Sequence, residues 1–331
     1  MEWPPPAQGA RPAGHAIAIP RISLREVQAM KAAVLHEFGG PSKLKYEDFD
    51  DPVAGEGEVL VRVAAASINP IDYKMRSGEA QARFPIQFPA ILGRDFAGVV
   101  RTVGPDVTGF EAGEEVMGLS SKTYAELVAV KATDLIKVPE QMELTTAASL
   151  PLVLLTGGQL IRVGTQIKEG ETVVITGAVG GVGRSAVRTA KMAGARVIAG
   201  VRKRQMDEAK SLGADEILAL DDDAAVAKLG FVDAVADTVG HATAEALLAK
   251  VKQGGVFASV LGPPANAGMH PTVKIVPVVA KPDAAMLAEL AAEVEGGRLT
   301  IPVDRMLPLA QAAEGQAAVE KGGIGKVLLL A

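Results

Sequence analysis

The run Gly177-Ala178-Val179-Gly180-Gly181-Val182-Gly183 follows the short apolar stretch Thr172–Thr176 and leads into a segment of helical periodicity. Glycines at this spacing suit the holding of a phosphate. At Gly180 and Gly181 the missing Cβ lets main chain approach a pyrophosphate. The amides of a helix opening near Gly181 would point at its oxygens, assisted by the helix dipole. Gly183 would let that helix pack closely on the preceding strand. With Ala178 in the first glycine position, Gly180 in the second and Gly183 in the third, the run fits a dinucleotide fingerprint in strand–turn–helix context. Ala178, Gly180, Gly181, Val182 and Gly183 are the candidate cofactor contacts of this turn.

Two other frames fail. A P-loop needs GxxxxGK[ST], but in the frame opening at Ala178 the first Gly is Ala and the Lys is Arg184. Thr176–Gly183 also fits the TGxxxGxG string of short-chain dehydrogenases, which carry a YxxxK pair well after it. Here Tyr46, Tyr73 and Tyr124 all precede the turn.

The next strand, ending Ala199-Gly200-Val201, carries no acid to bind a ribose 2′-hydroxyl, and Arg202-Lys203-Arg204 follow at once. Guanidinium grips a 2′-phosphate bidentately, so NADPH is the expected cofactor, with Arg202 and Lys203 as its phosphate contacts.

Composition narrows the rest. The chain has 331 residues, 34 Lys+Arg against 39 Asp+Glu, a net charge of −5, and no Cys. Disulfides, Cys₄ zinc sites and thiol nucleophiles are therefore excluded. His15, His36, His241 and His270 are scattered, none at metal-ligand spacing, so no metal site is expected. Mild acidity and 4% aromatics leave no footprint for nucleic acid. No run of about 18 apolar residues points to a membrane span, and a cytoplasmic location is expected.

The elements that must position the turn fall into four parts. Residues 1–29, rich in Pro, Gly and Ala, read as a disordered extension. Residues 30–152 read as a β-rich domain, with strand candidates at Val59–Ala65, Phe96–Val103 and Tyr124–Val130. Residues 153–280 alternate short apolar strands with helices, the pattern of a doubly wound parallel sheet covered on both faces. Within it Gln205–Leu212 reads as a helix and Thr272–Ala280 as a strand whose Pro277 suits an edge. Residues 281–331 read as a return to the first domain.

Several strings occur in this order: MKAAVLHEFGGP at 30–41, VLVRVAAASINPIDYKMRSG at 59–78, FPAILGRDFAGVV at 88–100, GAVGGVG at 177–183, SLGAD at 211–215, DTVG at 237–240 and GGVFASVLG at 254–262. Together they resemble the medium-chain dehydrogenase/reductase superfamily, and within it the zinc-independent NADPH:quinone oxidoreductase group. The resemblance implies an α/β fold, with a β-rich GroES-like catalytic domain beside a Rossmann domain, and a homodimer. Zinc alcohol dehydrogenases of the superfamily carry Gly-His-Glu where this chain has Gly93-Arg94-Asp95. A permanently protonated guanidinium cannot ligate a metal.

The chemistry implied is hydride transfer from NADPH to a small, electron-poor acceptor such as a quinone. The protein holds donor and acceptor together and excludes water. By resemblance the Asn-Pro-x-Asp segment faces the nicotinamide, which makes Asn69, Tyr73 and Lys74 the catalytic candidates. Asn69 would bond cofactor or loop backbone, and Tyr73 or Lys74 would donate to the developing oxyanion. Thr156, Thr238, Gly240, Leu261 and Gly262 match the family's cofactor groove. The chain departs from many relatives at Glu79-Ala80, where an aromatic follows RSG, at Leu220, where a Tyr lies near the adenosine, and in a short Gly118–Tyr124 loop. Two other readings stay open: an enoyl or 2-alkenal double-bond reductase, and a non-catalytic NADPH-binding protein.

Overall fold

The apolar stretches pair into three sheets. In a computed structural model the described residues are Met1 and 29–331, so nearly all of the extension read over residues 1–29 lies outside them. β1 (Ala29–Leu35) and β2 (Leu44–Asp50) are antiparallel, with Leu35 opposite Leu44. β3 (Glu58–Ile68) is buried along most of its length because neighbours cover both its faces. After α1 (Pro70–Ser77) and β4 (Ala90–Ile91) come β5 (Asp95–Val103), β6 (Glu115–Leu119), β7 (Leu127–Lys131) and β8 (Leu135–Lys137). The helices α2 (Leu144–Ala148) and α3 (Pro151–Gln159) lead into the second half.

There β9 (Thr172–Thr176), α4 (Gly181–Met192), β10 (Arg196–Val201), α5 (Met206–Ala209), β11 (Glu216–Ala219), α6 (Asp223–Lys228), β12 (Val232–Asp237), α7 (His241–Leu248), β13 (Val251–Ser259) and β14 (Lys274–Pro277) alternate. The six strands are parallel, in the order β11-β10-β9-β12-β13-β14. The order reverses between β9 and β12, and sheets of this kind bind ligands in the crevice such a switch opens at the strands' carboxyl ends. The tail supplies α8 (Ala284–Glu295), β15 (Val303–Pro308), α9 (Ala312–Lys321) and β16 (Lys326–Leu330). β16 inserts between β15 and β3, so the last strands complete the large first sheet, β15-β16-β3-β5-β6-β8, with β7 also paired to β3.

Three local differences from the sequence reading stand out. The segment 70–77, where the sequence reading placed no element, is helix. Asn69 caps it, with the Asp72 carboxylate accepting the Asn69 amide at 2.8 Å, Pro70 fills the first helical position and Gly78 ends it at φ +88°. Gln205–Leu212 is no continuous helix but one α-turn between two 3₁₀ turns. Ser211 there bonds the Glu208 carbonyl, a local bond that competes with regular helix. Of Thr272–Ala280 only Lys274–Pro277 pairs, and it does so at the sheet edge, where proline is tolerated.

Candidate functional site

The glycine turn joins β9 to α4 with very little room. A Cβ on Gly183 would lie 2.2 Å from the Gly177 carbonyl oxygen, and one on Gly181 would lie 2.9 Å from Val153 Cγ1 on α3. Gly180, by contrast, is exposed and open toward solvent. From below, Arg184 fastens the turn: its Nε donates to the Val179 carbonyl at 2.8 Å, and its other end pairs with Glu208. Arg184 is 5% exposed. Its only sequence signal was its misfit to a P-loop lysine. The amides at the start of α4 and the approach space at Gly180 fit a pyrophosphate.

The neighbouring strand ends frame the same crevice. Thr238 donates its amide to Thr176 Oγ1 at 2.8 Å and its hydroxyl to the Thr176 carbonyl at 2.7 Å. Gly240, at φ +74°, abuts Leu261, which is 46% exposed, and Gly262 follows at φ +105°. Arg202 and Lys203 emerge exposed from β10, and the Lys203 amide donates to Asp221 at 2.7 Å. Asp221, at the end of the adjacent strand β11, was not singled out from sequence. Its Oδ1 is taken up by that amide. Thr156 lies on α3 with its hydroxyl donated to the Leu152 carbonyl at 2.6 Å.

On the other side of α3 a polar cluster is sunk into the first sheet. Asn69 Nδ2 donates to Asp95 Oδ1 at 2.9 Å and to Ser67 Oγ at 3.1 Å. Asn69 Oδ1 accepts from Lys326 Nζ at 2.5 Å. Asp95 also accepts the Ser67 hydroxyl at 2.6 Å and, through Oδ2, the Leu152 amide at 3.1 Å. A carboxylate on a free amide at the start of α3 complements the helix dipole. One helix thus meets the glycine turn on Val153 and the polar cluster on Leu152. Asn69 is 2% exposed and both ends of its carboxamide are engaged inside the protein. Tyr73 lies one turn along α1, its side chain without a hydrogen bond among the described residues, and Lys74 pairs with Glu79 at 3.3 Å.

Behind the cluster Tyr124 donates its hydroxyl to Asp72 Oδ2 at 2.8 Å. Asp72 is fully buried and its Oδ1 has no partner. Burial pushes its carboxyl up to about 7 from 3.8, against the pull of the Asn69 amide and the Tyr124 hydroxyl. Between these values the folded chain holds a proton that the unfolded chain has lost. The contribution of Asp72 to stability is therefore greatest below about pH 4 and falls as pH rises to about 7, by of order 4 kcal/mol. Asp72→Asn should remove this decline from the curve of melting temperature against pH. Parallel curves for parent and variant would sink the assignment.

The donor set does not fit a catalytic zinc. There is no Cys in the chain, the Asp95 oxygens are occupied, and His36 bonds Glu47 on the β1–β2 hairpin. The Arg94 guanidinium carbon lies 5.5 Å from the centre of the Phe84 ring. At the mouth of the crevice Arg83, from the stretch after α1, donates to the Val278 carbonyl at 3.0 Å and to the Val260 carbonyl at 3.3 Å. These carbonyls follow directly on β14 and β13, so Arg83 ties the first half of the chain to the parallel sheet.

Comparison with known proteins agrees with this architecture. Residues 55–140 match the family described as alcohol dehydrogenase GroES-like domain, and residues 212–329 that described as zinc-binding dehydrogenase. A chloroplastic quinone-oxidoreductase homolog of Spinacia oleracea is 34% identical over 189 residues, 54% of this chain. The match spans 57% of that relative's length. The solved quinone oxidoreductase of Coxiella burnetii superposes with a TM-score of 0.81 at 30% identity, over 92% of this chain and all of that one. A mycobacterial relative solved in complex with NADPH gives 0.80 at 29% identity, covering 91% of this chain and 100% of that one. With the glycine turn, the parallel sheet and the returning strand in place, the chain belongs to the medium-chain dehydrogenase/reductase superfamily, alongside its quinone oxidoreductases.

Proposed function

We propose that the chain is a zinc-independent oxidoreductase that passes hydride from NADPH to a quinone or similar electron-poor carbonyl acceptor. The observation that carries this reading is the bridging role of α3, which packs the dinucleotide turn against a polar cluster containing no metal-ligand set. When bound, NADPH supplies the hydride. In this reading Ala178, Gly180, Gly181, Val182 and Gly183 cradle the pyrophosphate, and Arg202 and Lys203 take the 2′-phosphate. Thr156, Thr238, Gly240, Leu261 and Gly262 line the groove toward the nicotinamide. Asn69 acts by holding the floor of the acceptor pocket, since its carboxamide is already engaged, while Tyr73 and Lys74 face the acceptor from α1. Residues 30–152 with 281–331 form the catalytic domain and 153–280 the cofactor domain. A cytoplasmic homodimer completes the reading, and a sedimentation mass of one chain at micromolar concentration would reject the dimer.

NADPH oxidation without added metal, followed by absorbance with a naphthoquinone and a 2-alkenal in parallel, tests the activity. Faster turnover with the quinone is the expected result. Faster turnover with the alkenal would make the chain a double-bond reductase, and silence with both despite saturable NADPH binding would favour a binding protein. Arg202→Glu should weaken NADPH binding by roughly tenfold or more while leaving NADH binding near its parent value. Equal losses for both cofactors would remove Arg202 from the phosphate site.

A further inference from the structure

The proposed reaction leaves a proton to be found. Hydride addition to a carbon of the acceptor leaves its oxygen negatively charged, and that oxygen must gain a proton. Two groups of the cluster against α3 carry protons near neutral pH: Asp72, whose carboxyl already accepts the Asn69 amide and the Tyr124 hydroxyl, and Lys326. Lys326 opens β16, beside the end of β3, and its Nζ donates to Asn69 Oδ1 at 2.5 Å. That is its only hydrogen-bond partner among the described residues, so two of its three N–H bonds are uncommitted. The charged groups facing it are Asp95 from β5 and Asp72 from α1, with the Tyr124 phenol behind Asp72. Asp95 ties the cluster to the start of α3, the helix that also meets the glycine turn.

The other donors are less suited: Tyr73 has no side-chain hydrogen bond tying it to the cluster among the described residues, and the Asp72 carboxyl is fully buried beneath Asn69. Lys74 is paired with Glu79. Tyr124 is fully buried, and its hydroxyl is spent on Asp72. Burial also pulls the Lys326 ammonium below the ordinary lysine range, against the two carboxylates that raise it. A lowered ammonium gives up its proton more readily at neutral pH.

Resting on the proposed reductase reading, we propose that Lys326 is the general acid of the site. One of its N–H bonds breaks as an O–H bond forms on the reduced acceptor. The neutral amine is then recharged by water, and the net reaction consumes NADPH, acceptor and one proton.

The test compares the full chain with Lys326→Ala and Lys326→Arg, reading NADPH affinity by fluorescence and acceptor reduction under multiple turnover. For Lys326→Ala the expected result is a fall in kcat of about a hundredfold, with NADPH affinity within about threefold and saturable recovery by added ethylamine. Lys326→Arg should hold intermediate activity and carry the alkaline limb of the pH profile upward, because guanidinium keeps its proton. Unchanged turnover in Lys326→Ala overturns the assignment. So does a loss confined to NADPH affinity, which would make Lys326 a phosphate anchor, or a loss that ethylamine does not touch. If the alanine variant does not fold, Lys326→Arg decides, and an alkaline limb that stays in place overturns the proposal. A parent chain that binds NADPH but reduces neither acceptor overturns the reductase reading instead.

Discussion

Gly183→Ala is expected to weaken NADPH binding by about a hundredfold and to cost about 1–3 kcal/mol of stability. The added methyl group would sit 2.2 Å from the Gly177 oxygen and 2.7 Å from Ala178 Cα. Both neighbours are main chain, so neither can swing aside as a side chain would. Relief requires α4 to lift from the turn, carrying the first-turn amides away from the pyrophosphate. Titration of cofactor fluorescence, with a melting curve on the same samples, checks both effects. Near-parent affinity would show that the turn does not hold the cofactor. Gly180→Ala separates the two effects: its Cβ would meet only the Gly177 oxygen, at 3.2 Å, so stability should stay near parent while NADPH binding still weakens.

Arg76→Met is expected to be the most destabilising single change in the first sheet's half, at about 3–5 kcal/mol. Arg76 is 1% exposed, and its guanidinium donates to the Gly39 carbonyl at 3.0 Å, to Gln316 at 2.9 Å and to Glu320 at 2.6 Å. It thereby joins α1, the β1–β2 turn and α9. Methionine fills much of the space but leaves the Gly39 and Gln316 oxygens without their donor. The reverse change, Glu320→Gln, should cost about 1 kcal/mol or less, because that carboxylate is 42% exposed. Urea unfolding of the two variants should differ by several kcal/mol, and equal losses would contradict a buried role for Arg76.

The cofactor half was legible because its signals are local. The apolar strand Thr172–Thr176, the glycine spacing and the bare end of β10 sit within one stretch of chain, and each has one steric or electrostatic meaning. The helix α1 was also within reach. Asn69-Pro70, Asp72 and Gly78 are a cap, a first-turn proline, an N3 acid and a C-terminal glycine in their proper places. It was missed because the apolar periodicity of the segment is weak. The polar cluster could not be read in this way. Asn69 and Lys326 are 257 residues apart in the chain and meet only because β16 pairs with β3. Arg76 with Gln316, 240 residues apart, and Arg184 with Glu208, 24 apart on different elements, were hidden likewise, because their partners are set by packing rather than by spacing.

The Arg83 clasp has an asymmetry of its own. Both acceptors are main-chain carbonyls, which every amino acid at positions 260 and 278 would present equally. Substitution on the parallel-sheet side can therefore drift without loosening the clasp, so long as the strands keep their course. All of its hereditary information resides in one codon, that of Arg83. A lineage that altered this residue would lose the clasp in a single step and leave α3 as the main tie between the halves, whereas one that kept it could remodel the facing loops without losing the clasp.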